Sequence, residues 1–359
     1  MLVVKSYNKS YLTKWNSFAA ETPGGSLFHL IGWKEAVETT YGHQSHYIMV
    51  MEGDDIRGIL PLFEVKSRLF GHSLVSVPYG VYGGIAASDA KAYQTLIKSA
   101  ETLADLMKVD FLELRNMSAR GFCQESLPVG PSEQPVQSDT WHSKDLYVTF
   151  QRPILATIEE NMNAIPRKQR AMIRKGEKSG LESRVGGVDD LPHFYAIYAQ
   201  NVRDLGSPVY PITFFSALMA NFQDSFILSV WKEGNMVAGV LTFVFGGTLL
   251  PYYGGGLREY FDYAVNDFMY WELMRFGCEQ GYKVFDFGRS KKDTGSYRFK
   301  KHWGFEPTDL NYRFCLVKNK EMPNVSPLNP KYRLMINTWK RLPLPIANWL
   351  GPKLVRGIP

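Results

Sequence analysis

The nine residues "EGDDIRGIL" at 52–60 return as "EGNMVAGVL" at 233–241. Two such copies restrict the fold more than any other feature, because a repeated order of elements means two units built on one plan. Each copy follows a β-rich run, "HYIMVM" or "SFILSVW", and a polar Gly turn separates the two β-rich segments. That pattern is a hairpin signal. Next, "VSVPYGVYGG" at 75–84 matches "LLPYYGGG" at 249–256, each read as a strand running into a Gly-rich exit. A segment with helical spacing follows in both copies, "DAKAYQTLIKSAETLADLM" and "VNDFMYWELMRFGCEQG". A strand ending in a basic residue closes each unit, "VDFLELR" at 109–115 and "KVFDFGR" at 283–289. Hairpin, strand, helix and strand, twice over, predict a mixed α/β (α+β) chain: two domains in tandem, each a mixed central sheet with flanking helices.

A length of 359 residues fits two domains of ordinary size. The expected boundaries are a first domain at 1–157, a basic helical linker at 158–184, a second domain at 185–328 and a basic, apolar tail at 329–359. In the linker, Pro166 stands near a helix start, where proline is tolerated. Arg167, Arg170, Arg174 and Lys178 share one helical stripe. The Ser-, Pro-, Gln- and Gly-rich stretch 118–140 reads as an exposed loop. The cysteines, Cys123, Cys278 and Cys315, are too few and too scattered for a disulfide framework or a zinc cluster, and point to a reducing cytosol. "MLVVKSYNKSYLTKW" lacks the pattern of a signal peptide. No apolar run approaches the roughly 18 residues of a membrane span. The expectation is a cytoplasmic protein, at most peripheral at the inner face of the membrane. A net charge of +6 directs attention to anionic partners.

The charge is densest in "VFDFGRSKKDTGSYRFKKHWGF" at 284–305, where a strand gives way to a helix. This segment resembles the Fem family of tRNA-dependent aminoacyl transferases, and the FemAB-like proteins associated with exosortase and exopolysaccharide loci. The likeness rests on a strand ending in Tyr-Gly-Gly, a helix with an internal Trp, the D-F-G strand end, and Y-R-F-K-K followed by W-G-F. "RKQRAMIRKGEKSGL" resembles the basic linker of these proteins. The resemblance implies a pair of GNAT-like domains and transfer of an aminoacyl or acyl group to an amine of a cell-envelope or exopolysaccharide precursor. One departure is plain: the interval around "FFSALMANFQDSF" is too short for the helical arm of the Gram-positive cell-wall ligases.

Such transfer needs an amine freed of its proton, an activated ester or thioester, and stabilisation of the oxyanion. By resemblance the functional lysine is Lys300, facing the scissile carbonyl. Arg289, Arg298 and Lys301, with Phe299 beside them, are candidates for the donor's phosphates. Asp286 alternates with Phe285 and Phe287 along a strand, and is a candidate proton acceptor or a partner for a nearby cation. Tyr252 and Tyr253, and in the first copy Tyr79 and Tyr82, are candidate cleft-lining residues. His43 and His46 read as turn and strand residues, and no metal site is expected. Without a nucleophile elbow or a Ser/His/Asp set, the expectation is direct transfer with no covalent enzyme intermediate.

The donor is charged tRNA or acyl-CoA, and no permanently bound cofactor is expected. Where a CoA enzyme has a small-residue pyrophosphate loop, this chain has "GGGLREYFDYAVND", and Glu259 and Asp262 oppose a pyrophosphate. The tail interleaves Trp339 and Trp349 with six cations, which suits peripheral contact with a membrane surface. Two alternatives stand beside this reading: a CoA- or carrier-dependent N-acyltransferase, and a non-catalytic GNAT-like scaffold that binds acidic polymer or membrane.

Overall fold

A computed structural model describes residues 1–117, 141–322 and 330–358. The expected loop at 118–140 and Cys123 lie outside the described residues. The chain divides into two compact units. One comprises Met1–Val148, Thr308–Asn324 and Arg356–Pro359, the other Thr149–Pro307 and Val325–Val355.

The first unit opens with β1 (Leu2–Ser6), α1 (Leu12–Glu21), α2 (Ile31–Tyr41) and the short β2 (Gln44–Ser45). The hairpin predicted from the repeat is β3 (Ile48–Glu52) with β4 (Asp55–Leu60). Then come β5 (Phe63–Ser67), β6 (Gly71–Val75), β7 (Ala86–Ala87), α3 (Ala90–Met107), β8 (Phe111–Asn116) and β9 (Trp141–Lys144). One sheet has the order β1-β3-β4-β7. The other reads β2-β5-β6-β8-β18-β9, in which β18 (Asn311–Leu316) enters from far along the chain. Its residues pair antiparallel with β8 on one side and β9 on the other.

Helix α3 shows how local sequence sets an element. Asp89 caps it by accepting from the backbone of Ala92 at 2.8 Å, relieving one orphan N–H. Its buried stripe of Ala92, Leu96, Ile97, Ala100 and Ala104 recurs at helical spacing and packs on the strands, with Val50, Leu60, Leu74, Leu112 and Leu114 in the same core.

The second unit is built on β10 (Tyr147–Pro153), α4 (Ile158–Asn163), α5 (Arg167–Lys178), β11 (Glu182–Gly186), α6 (Leu191–Leu205) and α7 (Ile212–Asn221). The second hairpin follows as β12 (Phe226–Lys232) and β13 (Asn235–Phe245), and then β14 (Thr248–Gly256), α8 (Val265–Glu279), β15 (Val284–Asp286), β16 (Ser290–Lys291), α9 (Gly295–His302) and β17 (Pro307–Asp309). The β12–β13 turn is Glu233–Gly234, both in the left-handed region (φ 52° and 79°), as a tight two-residue hairpin requires. The sheet runs β11-β12-β13-β14-β15-β10-β16, with β17 on β10. Between α6 and β12 there is a single helix, the ten-residue α7, where a long arm would otherwise project.

The two Gly-rich segments differ from expectation. Residues 254–256 are not an exit from the strand but part of β14, paired with Ala238–Val240. Gly255 is required there because a Cβ would stand 2.9 Å from Cβ of Asn201 on α6. In the first unit, by contrast, the strand stops at Val75 and residues 76–85 leave the ladder.

Candidate active site

The site lies where β14 and β15 part. These parallel strands pair only at Thr248↔Val284 and Leu249↔Phe285, after which β14 continues to Gly256 paired with β13 and no longer with β15. In α/β sheets such a divergence beyond the strand ends is where ligands gather. Tyr270 of α8 fills part of the gap. A Cβ on Gly254 would lie 3.3 Å from its hydroxyl, and its ring packs on Phe287 (centroids 4.8 Å) and Phe299 (5.7 Å). Burial pushes its phenol up to about 12.

Lys300 is turned inward. Although it belongs to a run of cations, it is buried, and its ammonium donates to the carbonyls of Phe287 (2.7 Å), Gly288 (2.9 Å) and Arg289 (3.2 Å). Helix α9 delivers it there: Thr294 caps the helix, and position 300 falls on the side that also buries Trp303. Burial pushes the Lys300 pKa down to about 7, with Asp286 opposing that shift and Arg289 adding to it. Three carbonyl acceptors favour the ammonium, since a neutral amine has too few protons to serve them. As it stands, Lys300 holds the 287–289 turn and keeps a positive charge at the end of β15; reaching a substrate oxygen requires it to exchange one of those carbonyls.

Asp286 is also buried and engaged. Its carboxylate accepts from Gln151 Nε2 (2.8 Å) and from the backbone N–H of Gly288 (2.7 Å). Gly288 stands at φ 67°, which turns the chain back over Asp286. β15 therefore ends at Asp286, and Arg289 sits in the turn beyond it, half-buried, rather than at the strand terminus. Arg298 and Lys301 are exposed on α9, whereas Phe299 packs among Tyr270, Phe287 and Trp303.

The tyrosines occupy different settings. Tyr252 is the extra residue of a bulge, since Leu241 faces Tyr253 and Thr242 faces Pro251. Tyr253 is buried in an aromatic cluster with Phe215 (4.9 Å), Tyr210 (5.6 Å) and Tyr198 (6.0 Å). Tyr79 and Tyr82 are buried in the first unit, Tyr79 with φ 64° and its hydroxyl 2.9 Å from His43 Nε2. His43 and His46 lie in the loops flanking β2, and among the described residues no cluster suited to a metal ion occurs.

Asp267 was not singled out from sequence. It stands in the first turn of α8, where its Oδ1 accepts from Trp303 Nε1 at 2.9 Å. Burial pushes its pKa up to about 6. The legible signal is an acidic residue in the first turn of a helix. Its placement also puts an acidic group in the first turn of the helix, where a CoA pyrophosphate would need an electropositive terminus, and Glu259 and Asp262 are exposed just upstream. On α5, Arg167, Lys168, Arg174, Lys175 and Lys178 are exposed, while Arg170 donates to Asn163 Oδ1 at 3.1 Å.

Comparison with known proteins agrees with this architecture. The acetyltransferase (GNAT) domain family matches residues 167–301. Lipid II:glycine glycyltransferase of Staphylococcus haemolyticus is 21% identical over an alignment covering 86% of this chain and 91% of that protein. The crystal structure of FemX superposes with a TM-score of 0.66 at 16% identity, covering 93% of this chain and all of FemX. A tandem GNAT protein from the clavulanic acid biosynthesis pathway gives 0.55 at 11% identity, over 89% of this chain and all of that one. The repeat, the divergent β14–β15 pair and these likenesses converge on one architecture: two GNAT-like domains in tandem, similar to the FemAB-like acyltransferases.

Proposed function

We propose that this protein moves an aminoacyl group from charged tRNA directly onto an amine of a lipid-linked cell-envelope or exopolysaccharide precursor at the inner face of the membrane. The observation that carries the reading is the buried Lys300 ammonium at the end of β15, where β14 and β15 part. The amine nitrogen attacks the carbonyl carbon of the aminoacyl ester, an amide forms, and the ester C–O bond breaks. The amine proton leaves to a base and the tRNA hydroxyl regains one. Lys300 opposes the negative charge that grows on the carbonyl oxygen, in a buried setting where such charge counts most. Asp286 acts through the turn that it and Lys300 hold. Asp267 takes the amine proton: Trp303 donates to its Oδ1 alone, whereas Asp286 accepts from both Gln151 and Gly288.

The donor choice rests on two features. Asp267, in the first turn of α8, opposes a CoA pyrophosphate at that helix end, and the exposed cations of α5, with Arg298 and Lys301, suit an RNA backbone. Arg289 sits close enough to Lys300 to influence its charge and completes this basic surface. The staphylococcal relative's name, a glycyltransferase acting on lipid II, supports an aminoacyl group and a lipid-linked acceptor.

The test compares charged tRNA with a panel of acyl-CoAs on envelope extract, reading transferred groups by mass spectrometry. Transfer from tRNA, abolished by RNase and reduced about 10²–10³-fold in Lys300→Met, is the expected result. Transfer from acyl-CoA alone overturns the donor assignment. Binding without turnover from either donor selects the scaffold alternative.

A further inference from the structure

The C-terminal helices present an exposed face that the transfer reaction does not use. In α11 (Leu344–Val355), Ile346, Trp349 and Lys353 fall at i, i+3 and i+7 and so lie on one side. Ile346 is 45% and Trp349 63% exposed. The opposite side buries Ala347, Gly351 and Val355, with α11 packed on α6 and Gly351 held against the backbone of Val209. The helix is therefore anchored on one side and apolar on the other. In α10 (Pro330–Trp339), Leu334 (71%) and Met335 (46%) are exposed in the same way, while Ile336 packs at Gly206. Arg203 fastens the connection by donating to the carbonyl of Leu342 at 2.9 Å.

Charge identifies what covers this face. Lys340, Arg341 and Lys353 of the same C-terminal segment are exposed, and the ammonium of Lys353 lies 3.5 Å from the centre of the Trp349 ring. From Asn329 to Pro359 the sequence contains no Asp or Glu at all. A C-terminal segment whose only charged residues are cations, set among Trp and aliphatic side chains, matches the interface of an anionic bilayer. No helix among the described residues is long and apolar enough to cross a membrane, so the contact is one of lying on the surface.

We propose that Leu334, Met335, Ile346 and Trp349, together with the exposed Lys340, Arg341 and Lys353, dock the protein on an anionic lipid surface. This deepens the functional reading above by naming the membrane-contacting face, and it is tested by binding without turnover, so that either can fail alone. The experiment is flotation of the full chain with vesicles of phosphatidylcholine, with and without phosphatidylglycerol. The wild type is expected to float with the phosphatidylglycerol vesicles and to be released by salt. Ile346→Ser with Trp349→Ser should weaken binding about tenfold or more, through lost insertion of apolar side chains. Lys340→Glu or Arg341→Glu should weaken it about fivefold each. Circular dichroism confirms that each variant is folded, and transfer to a soluble acceptor lacking its lipid should survive in the Ile346/Trp349 variant. Failure of the folded wild type to float overturns the proposal, as does equal flotation by the variants. So does sedimentation showing a lipid-free dimer that Trp349→Ser dissolves, which would make a second copy the occupant.

Discussion

The same point of the repeat is built in opposite ways in the two units. In the second, β13 and β14 stay paired through a single bulged residue, Tyr252, and the gap beside β15 is left to Tyr270 and the Lys300 turn. In the first, the corresponding strand breaks after Val75, and ten residues loop out before β7 resumes pairing with β4. That loop is buried, and its carbonyls are satisfied by side chains. Arg115 donates to Val77 and Gly80, Trp33 to Pro78, Tyr312 to Val81, Ser26 to Tyr82 and His29 to Gly84. A buried loop is tolerable only on such terms. Val77 and Tyr79 even adopt left-handed conformations (φ 59° and 64°), which for a β-branched valine persists only where the surroundings enforce it. One plan thus yields a loop fixed by its neighbours in one unit and a divergent strand pair in the other.

The strongest test of this contrast is Arg115. It is buried beside Glu113 (2.9 Å), and Arg115→Ala takes one donor from a buried carboxylate and one from each of the Val77 and Gly80 carbonyls. Denaturation should show a loss of about 3–5 kcal/mol. Arg289→Ala, at the matching place in the second unit, should cost roughly 1 kcal/mol or less while lowering transfer. Similar stability losses for the two would erase the distinction. Gly255→Ala should come next, losing roughly 1–3 kcal/mol as its Cβ meets Asn201, without disturbing the first unit's near-ultraviolet dichroism.

The pH profile sharpens the chemical half of the comparison. Rate should rise as Asp267 ionises through about 6 and fall as Lys300 loses its proton through about 7, giving a narrow bell in kcat/KM. Asp267→Asn should remove the acid limb; an unchanged limb assigns it to another group. The same substitution should act on stability with a defined sign. The raised pKa means that the folded chain keeps a proton that the unfolded chain releases from about 3.8 upward, so this carboxyl erodes stability as pH rises through about 6. Asn should therefore stabilise at pH 8, by roughly 1–2 kcal/mol, and have little effect at pH 4. Asp89→Ala should cost about 1 kcal/mol, by removing the cap of α3 and the partly exposed pair with Arg57 (2.9 Å).

Much of this was written locally. Hairpin turns, the capped α3 and the amphipathic stripes follow from neighbouring residues, so the repeat and the α/β class are legible in the chain itself. Short-range pattern also identifies Lys300 as belonging to an unusual motif. Other features depend on partners distant in sequence. Whether "GG" ends a strand or lies within one is decided by Asn116 against Gly84 and by Asn201 against Gly255. β18 joins the first unit's sheet because β8 and β9 offer it ladders on both sides, and no local propensity names a strand's neighbours. Of the cations in 289–301, only the fold could decide that Lys300 faces inward while Arg298 and Lys301 remain in water. Periodicity says which side chains share a face; burial, and with it the charge state of Lys300 and Asp267, is set by what the tertiary structure brings against that face.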